Sequence, residues 1–276
     1  MNRNKQLESK IKIYIWEFLF LFMYIDVHAH LDICDIEKSV KACKEKNVMI
    51  LTVGINKETN RKVLDLSKKY KNVELCLGIY PTETTKLSER EFNEELKFIE
   101  KNKDKIIGIA EIGLDLHEPN TNNPENFEIQ KKRFISQVKL AIKLDKPIVV
   151  HSRKAEKETI EILKDLKIKK VIMHCFSGNF KLVKEIIESG WFFSIPANVK
   201  FSEHFQKVIE VTPIEQLFCE TDSPFLHPDK NRRPGVKNSP ENVIGSYNKI
   251  AEIKKISLKE TEKKIEENYL RLFGKN

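Results

Sequence analysis

Six side chains in this sequence are of the kinds that bind and use a divalent cation, and each stands at or just past the end of a short apolar run. His28 and His30 lie in Asp26-Val27-His28-Ala29-His30, and Glu111 follows Ala110. His151 closes Ile148–His151, His174 closes Val171–His174, and Asp222 lies in Glu220-Thr221-Asp222-Ser223. In a strand, residues i and i+2 point the same way, so His28 and His30 share one face and can reach one ion. A carboxylate directly after an apolar strand needs a partner, because burying an unpaired charge is expensive. Any single histidine of this kind reads first as a hydrogen-bonded core residue. Six in register with a repeating strand pattern read as a site. Imidazole and carboxylate donors without a thiolate suit a catalytic divalent cation, Zn, Mn or Mg.

For these groups to meet, the runs that carry them must lie side by side. Eight runs recur: Tyr24–His28, Val48–Val53, Val73–Leu77, Ile106–Ala110, Ile148–His151, Val171–His174, Trp191–Ile195 and Gln216–Glu220. Continuous apolar strands alternating with helical segments predict a parallel sheet covered on both faces. Phe127–Leu144 is an example of the intervening pattern, with Phe127, Phe134, Val138 and Ala141 on one face, until Pro147 stops it. Eight such units in a chain of this length predict a single-domain α/β fold, a TIM-type (β/α)8 barrel, regular or distorted. The alternative, a doubly wound open sheet, lacks a Gly-rich phosphate turn here. A barrel carries its chemistry at the C-terminal ends of its strands, where all six residues fall.

Composition narrows the class without choosing the reaction. The chain has 276 residues, 40% hydrophobic and 33% charged, enough to bury a full core. Lys and Arg number 49 against 41 Asp and Glu, for a net charge of +8. That excess is compatible with a polyanionic partner, but it is spread along the chain as an ordinary solvated surface is. Five cysteines, an odd number with no C-x-x-C pair, argue against a zinc ribbon and a disulfide scaffold, and most read as small core residues of a chain expected in a reducing cytoplasm. Ile11 to Ile25 is apolar but broken by Lys12 and Glu17, too short an uncharged run for a membrane span, which needs about 20 residues. A signal-peptide cleavage near Val27 to Ala29 would remove His28. Residues 1–22 are therefore expected to be an N-terminal extension or an over-long start, with the barrel spanning 23–276.

The motifs D-V-H-A-H-L-D (26–32), A-E-I-G-L-D (110–115), H-S-R (151–153), H-C-F-S-G (174–178) and E-T-D-S-P-F-L (220–226) together resemble the TatD family of metal-dependent deoxyribonucleases. Residues 23–276 follow that pattern almost end to end, including Gln130, Phe134 and Gln137 before Pro147. The resemblance implies two divalent cations, Mg, Mn or Zn: one on His28, His30 and Asp222, the second on His151 and His174, with Glu111 bridging. It implies hydrolysis of DNA phosphodiesters by a metal-activated water, with 3′–5′ exonuclease action on single strands favoured. Asp222 and Glu111 would then be the catalytic residues, Asp222 also accepting the water's proton. The chain departs from the family in two places. Tyr80 stands in Gly78-Ile79-Tyr80-Pro81 where a histidine is usual, and Leu116 and His117 follow Asp115 where aromatics are usual.

Around this centre the sequence offers substrate contacts, each with a plainer reading. Arg153 suits a phosphate oxygen, or a structural ion pair. Tyr80 and Phe176 suit base stacking, although Phe176 would equally pack the barrel rim. His117 and His227 fall in loops near the mouth, and His204 on a surface helix. Asp32 and Asp115 could accept from ligand histidines, or Asp32 could cap the helix beginning near Asp35. The basic loop Arg232-Arg233-Pro234-Gly235-Val236-Lys237 could grip a DNA backbone. A different class, an amidohydrolase cleaving a C–N or ester bond in a small molecule, is disfavoured because Glu111 stands where many such barrels carry a modified lysine. A binding protein that has lost its chemistry is disfavoured by the complete ligand set. DNA is the expected partner. No membrane is implied, and no protein partner is inferable.

Overall fold

The computed structural model describes residues 24–117 and 123–274, so the expectation for residues 1–22 lies outside the described residues. Eight parallel strands follow one another in chain order around a single sheet: β1 (Tyr24–Ala29), β2 (Val48–Val53), β3 (Val73–Leu77), β4 (Gly108–Gly113), β5 (Ile148–His151), β6 (Val171–His174), β7 (Phe192–Pro196) and β8 (Leu217–Glu220). Helices pack outside: α1 (Ile36–Glu45), α2 (Lys57–Lys69), α3 (Pro81–Thr84), α4 (Glu89–Lys101), α5 (Pro124–Leu144), α6 (Glu156–Asp165), α7 (Phe180–Glu188), α8 (Glu203–Val211), α9 (Ile244–Lys254) and α10 (Leu258–Phe273). The single-domain TIM-type barrel is therefore the observed fold.

Barrel closure and the site share residues. The Asp222 amide donates to the His28 carbonyl at 3.0 Å, and the His30 amide donates to the Ser223 carbonyl at 2.8 Å. The seam between β8 and β1 is thus tied by the backbone of three of the six expected ligands. The strands read as continuous apolar runs because both faces are covered, and β2, β5 and β8 illustrate this with Leu51, Val150 and Phe218 buried.

α5 shows how sequence pattern becomes site geometry. Asn123 caps it by accepting from the Asn126 amide at 2.9 Å, Pro124 stands in its first turn, and Asp145 in a left-handed conformation (φ 52°) ends it. Its buried stripe includes Phe134, Val138 and Ala141; truncating Phe134 to alanine would cost about 3–5 kcal/mol. The same face carries Gln130 and Gln137, two turns apart. Gln130 pairs with both backbone groups of Asp115, at 2.8 and 3.0 Å, and Gln137 pairs likewise with Ile79, at 2.8 and 3.0 Å. One helix therefore fixes the two loops that carry Asp115 and Tyr80.

Four strands differ from expectation: β1 ends one residue later, β7 is shifted one residue later at both ends, and β4 and β8 differ in ways that bear on their neighbours. β4 begins at Gly108 and continues through Glu111 to Gly113, because Ile112 and Gly113 pair again with Val150 and His151 of β5 after a register shift that follows Ile109. Glu111 is thus inside the strand rather than after it. A Cβ on Gly113, whose φ is 146°, would come within 1.9 Å of the His151 carbonyl, so only glycine allows that approach. Gln216 lies in a turn before β8, where its side chain donates to the carbonyls of Ile187 and Trp191.

Candidate metal centre at the barrel mouth

His28 and His30 project from β1 and the residue after it, Glu111 from β4, His151 from β5, His174 from β6 and Asp222 from the turn after β8. The fold brings all six together. Asp222 and Cys175 hold left-handed backbone conformations, with φ of 50° and 42°. Such conformations cost a non-glycine residue about 1 kcal/mol or more and concentrate at functional sites.

The spacing between polar atoms distinguishes hydrogen bonding from shared coordination. His28 Nε2 lies 3.5 Å from Glu111 Oε2 and 3.7 Å from Asp222 Oδ1. His30 Nε2 lies 3.6 Å from Glu111 Oε2 and 3.4 Å from Asp222 Oδ1. Hydrogen bonds of this type are about 2.7–3.2 Å long, so these contacts are too open to be hydrogen bonds. Four ligands at about 2.1 Å from a tetrahedral ion stand about 3.4 Å apart, which is the spacing found here. Neither ring nitrogen of His28 has a hydrogen-bond partner among the described residues, although the side chain is fully buried. A buried imidazole with both nitrogens unpartnered is costly unless something else satisfies it. The donor set fits a divalent cation on this observation.

The other oxygen of Glu111 faces a differently organised group. His151 Nδ1 lies 2.9 Å from Glu111 Oε1, and His174 Nε2 lies 3.8 Å from the same oxygen. Each of these rings is held from behind by a carboxylate. Asp115 Oδ2 is 2.8 Å from His151 Nε2, and Glu220 Oε2 is 2.7 Å from His174 Nδ1. Asp115 was expected as such an acceptor. Glu220, which also accepts from Ser194 Oγ at 2.5 Å and from the Cys175 amide at 3.0 Å, was not singled out. Its three hydrogen bonds mark it as an orienting group. The His28 and His174 rings stack at 3.9 Å, joining the two groups face to face.

Electrostatics follow from burial and pairing. Burial opposes charge on Glu111, but His28, the His151 hydrogen bond and His174 outweigh it and hold the carboxyl well below its usual range. Burial likewise opposes the His174 imidazolium, but Glu220 outweighs it and lifts the group to about 10. Asp115 is held at about 2, since its hydrogen bond to His151 overcomes burial. Burial and the neighbouring His174 lower His28, whereas carboxylate neighbours overcome burial and raise His30 and His151, so a cation would compete with protons at the raised rings and not at His28. A further buried acid, Asp26, accepts from the amide and hydroxyl of Thr221 at 2.9 and 2.5 Å and ties β1 to the Asp222 turn.

The remaining expected residues separate by exposure. The Tyr80 hydroxyl donates to Asp115 Oδ2 at 3.0 Å and lies 3.1 Å from His151 Nε2, so its polar end is engaged on the orienting carboxylate. Burial, with Glu111 and Asp115 nearby, pushes the phenol upward, so it keeps its proton. Arg153 and His117 are exposed at the rim. Phe176 is 1% exposed and packs against Phe193, which leaves no free face for a base; the plainer reading, rim packing, holds because the chain turns inward over Gly178. His204 is half-buried, with Nε2 at 3.0 Å from the Phe176 carbonyl. His227 Nδ1 accepts from the Asp229 amide at 3.0 Å within its own loop. Asp35, not Asp32, caps α1, and Asp32 Oδ2 is buried without a hydrogen-bond partner among the described residues. No helix among the described residues is long and apolar enough to cross a membrane.

The family model for TatD related DNase matches residues 25–274. The chain is 33% identical over 260 residues to the deoxyribonuclease TATDN3 of Homo sapiens, covering 90% of this chain and 93% of that one. It is 35% identical over 250 residues to an uncharacterized metal-dependent hydrolase, MJ1582, of Methanocaldococcus jannaschii, covering 89% and 95% respectively. The solved structure of YJJV, a TatD homologue from Escherichia coli, matches with a TM-score of 0.83 at 24% identity, over 91% of this chain and 98% of that one, and speaks for the fold.

Proposed function

The chain belongs to the TatD-related DNase family, and from that premise we propose that it is a metal-dependent deoxyribonuclease that removes nucleotides from the 3′ ends of single strands. The observation that carries the reading is the unpartnered, fully buried His28 among acceptors set at coordination distance rather than hydrogen-bond distance. His28, His30, Asp222 and one oxygen of Glu111 would hold one divalent cation, and His151, His174 and the other oxygen of Glu111 a second. Mg, Mn and Zn are the candidate ions. When bound, such ions make water acidic near neutral pH and neutralise charge building on a phosphate.

The protein's own groups then have distinct tasks. Asp222 sits at the seam, 15% exposed at its side chain, so it can face both a cation and an incoming water and take the water's proton. Glu111, 3% exposed, sets the separation of the two groups. Asp115 and Glu220 hold the ring orientations of His151 and His174. Arg153, exposed at the rim, suits a phosphate oxygen with its planar fork.

The test is labelled single-stranded DNA with purified protein, with and without EDTA, then with Mg, Mn or Zn restored. The reading predicts loss of cleavage on chelation, recovery with at least one metal, and shortening from the 3′ end. Chelator-insensitive cleavage, or turnover of dipeptides and lactones but of no oligonucleotide, would overturn it.

A further inference from the structure

The two halves of the barrel mouth present different surfaces. Among the described residues three phenylalanines are prominently exposed, each in the segment that follows β6, β7 or β8: Phe180, first residue of α7, at 43%, Phe201, at the end of a 3-10 turn, at 40% and Phe225 at 53%. Val236, 45% exposed, belongs to the same rim. Segments 175–181, 197–204 and 223–239 of these loops carry six Lys or Arg and two acids, Glu203 and Asp229. The loops after β2, β3 and β4 (54–60, 78–86 and 114–117) carry two lysines and three acids, and none of the exposed phenylalanines.

Each of the three rings has a neighbour at the mouth or in the loops beside it. Phe225 meets the His30 ring edge to face, with centroids 5.9 Å apart, so it stands beside the reacting end. Phe201 is flanked by the ammonium groups of Lys200 and Lys230, each 4.7 Å from its centroid. Phe180 packs against His204, 5.4 Å away, one helical turn beyond Phe201. The base of the loop after β8 is anchored by buried Asn238, whose amide group donates to the Thr221 and Leu226 carbonyls at 2.9 and 3.4 Å. Exposed phenylalanines lose free energy to water unless something covers them, and a group of them on one side of a mouth points to a binding face. Lysines interleaved with aromatic faces match a chain that alternates phosphates with flat bases. Duplex DNA hides its base faces in the stack, so the occupant must be an unstacked single strand.

We propose that Phe225, Phe201 and Phe180 form a base-stacking track on the β6–β8 side of the mouth, with Lys200 and Lys230 on the backbone phosphates, and that this track admits single strands and guides the terminal nucleotide to the centre. The proposal rests on the nucleic-acid reading above but concerns binding, so the two fail separately.

The experiment is a cycle between bases and rings. Fluorescence anisotropy measures binding of metal-loaded protein to a phosphorothioate single strand that resists hydrolysis, and to the same strand with abasic sites along its 3′ end. Each of Phe225→Ala, Phe201→Ala and Phe180→Ala should weaken binding of the base-bearing strand about fivefold or more, and the triple variant about a hundredfold. Wild-type protein should discriminate against the abasic strand by a similar factor, and the triple variant should show almost no discrimination. Because the rings are exposed, the variants should unfold at the wild-type temperature, and Phe225→Leu should behave as Phe225→Ala. Equal discrimination in wild type and triple variant would overturn the track, as would a concentration-dependent dimer lost in the triple variant, which would assign the face to a second copy. Base-dependent binding without cleavage in any metal would sink the nuclease reading and leave the track standing.

Discussion

The two oxygens of Glu111 face groups built on different principles. On the Oε2 side, His28 and His30 are placed by one strand and Asp222 by the backbone seam that closes the barrel, and every contact is 3.4–3.7 Å long. On the Oε1 side, His151 and His174 are each gripped by a dedicated carboxylate at 2.8 and 2.7 Å. A ligating histidine ordinarily gives its second N–H to such an acceptor. His151 and His174 conform, whereas His28 Nδ1 has no hydrogen-bond partner among the described residues. The contrast teaches that one half of the centre is oriented by backbone geometry and the other by side-chain hydrogen bonds. Side-chain substitutions behind the ligands should therefore disturb one half more than the other.

The largest effect should come from the atom set common to both halves. Glu111→Ala should lower metal-dependent hydrolysis by about a thousandfold or more and abolish coordinated uptake of two ions. Asp222→Asn should lower hydrolysis comparably while leaving the His151 and His174 side able to take one ion. Both variants should keep the wild-type circular dichroism spectrum, and near-wild-type rates in either would break the comparison at its centre. Next in size, Glu220→Gln and Asp115→Asn should each weaken one ion, not both, by about 10- to 100-fold in a calorimetric titration. Equal weakening of both ions would show that the halves are not independently oriented.

The smallest effect sharpens the role of Tyr80. Its hydroxyl gives one hydrogen bond to Asp115, worth about 0.5–1.5 kcal/mol, so Tyr80→Phe should weaken the ion beside His151 about two- to tenfold. The KM for an oligonucleotide should stay unchanged. A raised KM with unaltered metal titration would instead put Tyr80 on the substrate, the role its place in the sequence first implied.

The six central residues were legible in the sequence because each interrupts or closes an apolar run, where an abrupt change from apolar to ionisable leaves a local mark. The eight strands were legible for the same reason, within one to three residues. Glu111 masked its own position: a charge in an apolar run reads as a strand end, yet here the carboxylate points into the mouth and pairing with β5 continues past it. Glu220 and Asp26 were missed as orienting groups because their partners are 46 and 195 positions away, a relation that no local pattern carries. Phe176 failed as a stacking candidate because exposure depends on the path of the following turn. Phe225, in a motif equally well marked, is the ring that the turn leaves open.

The most direct test of the paired centre is anomalous diffraction from crystals grown with Mn or Zn, collected above and below the metal edge. The account predicts two peaks on either side of Glu111, one within about 2.3 Å of His28 Nε2, His30 Nε2 and Asp222, the other equally close to His151 and His174. A single ion elsewhere at the mouth, with His28 still lacking any partner, would contradict it.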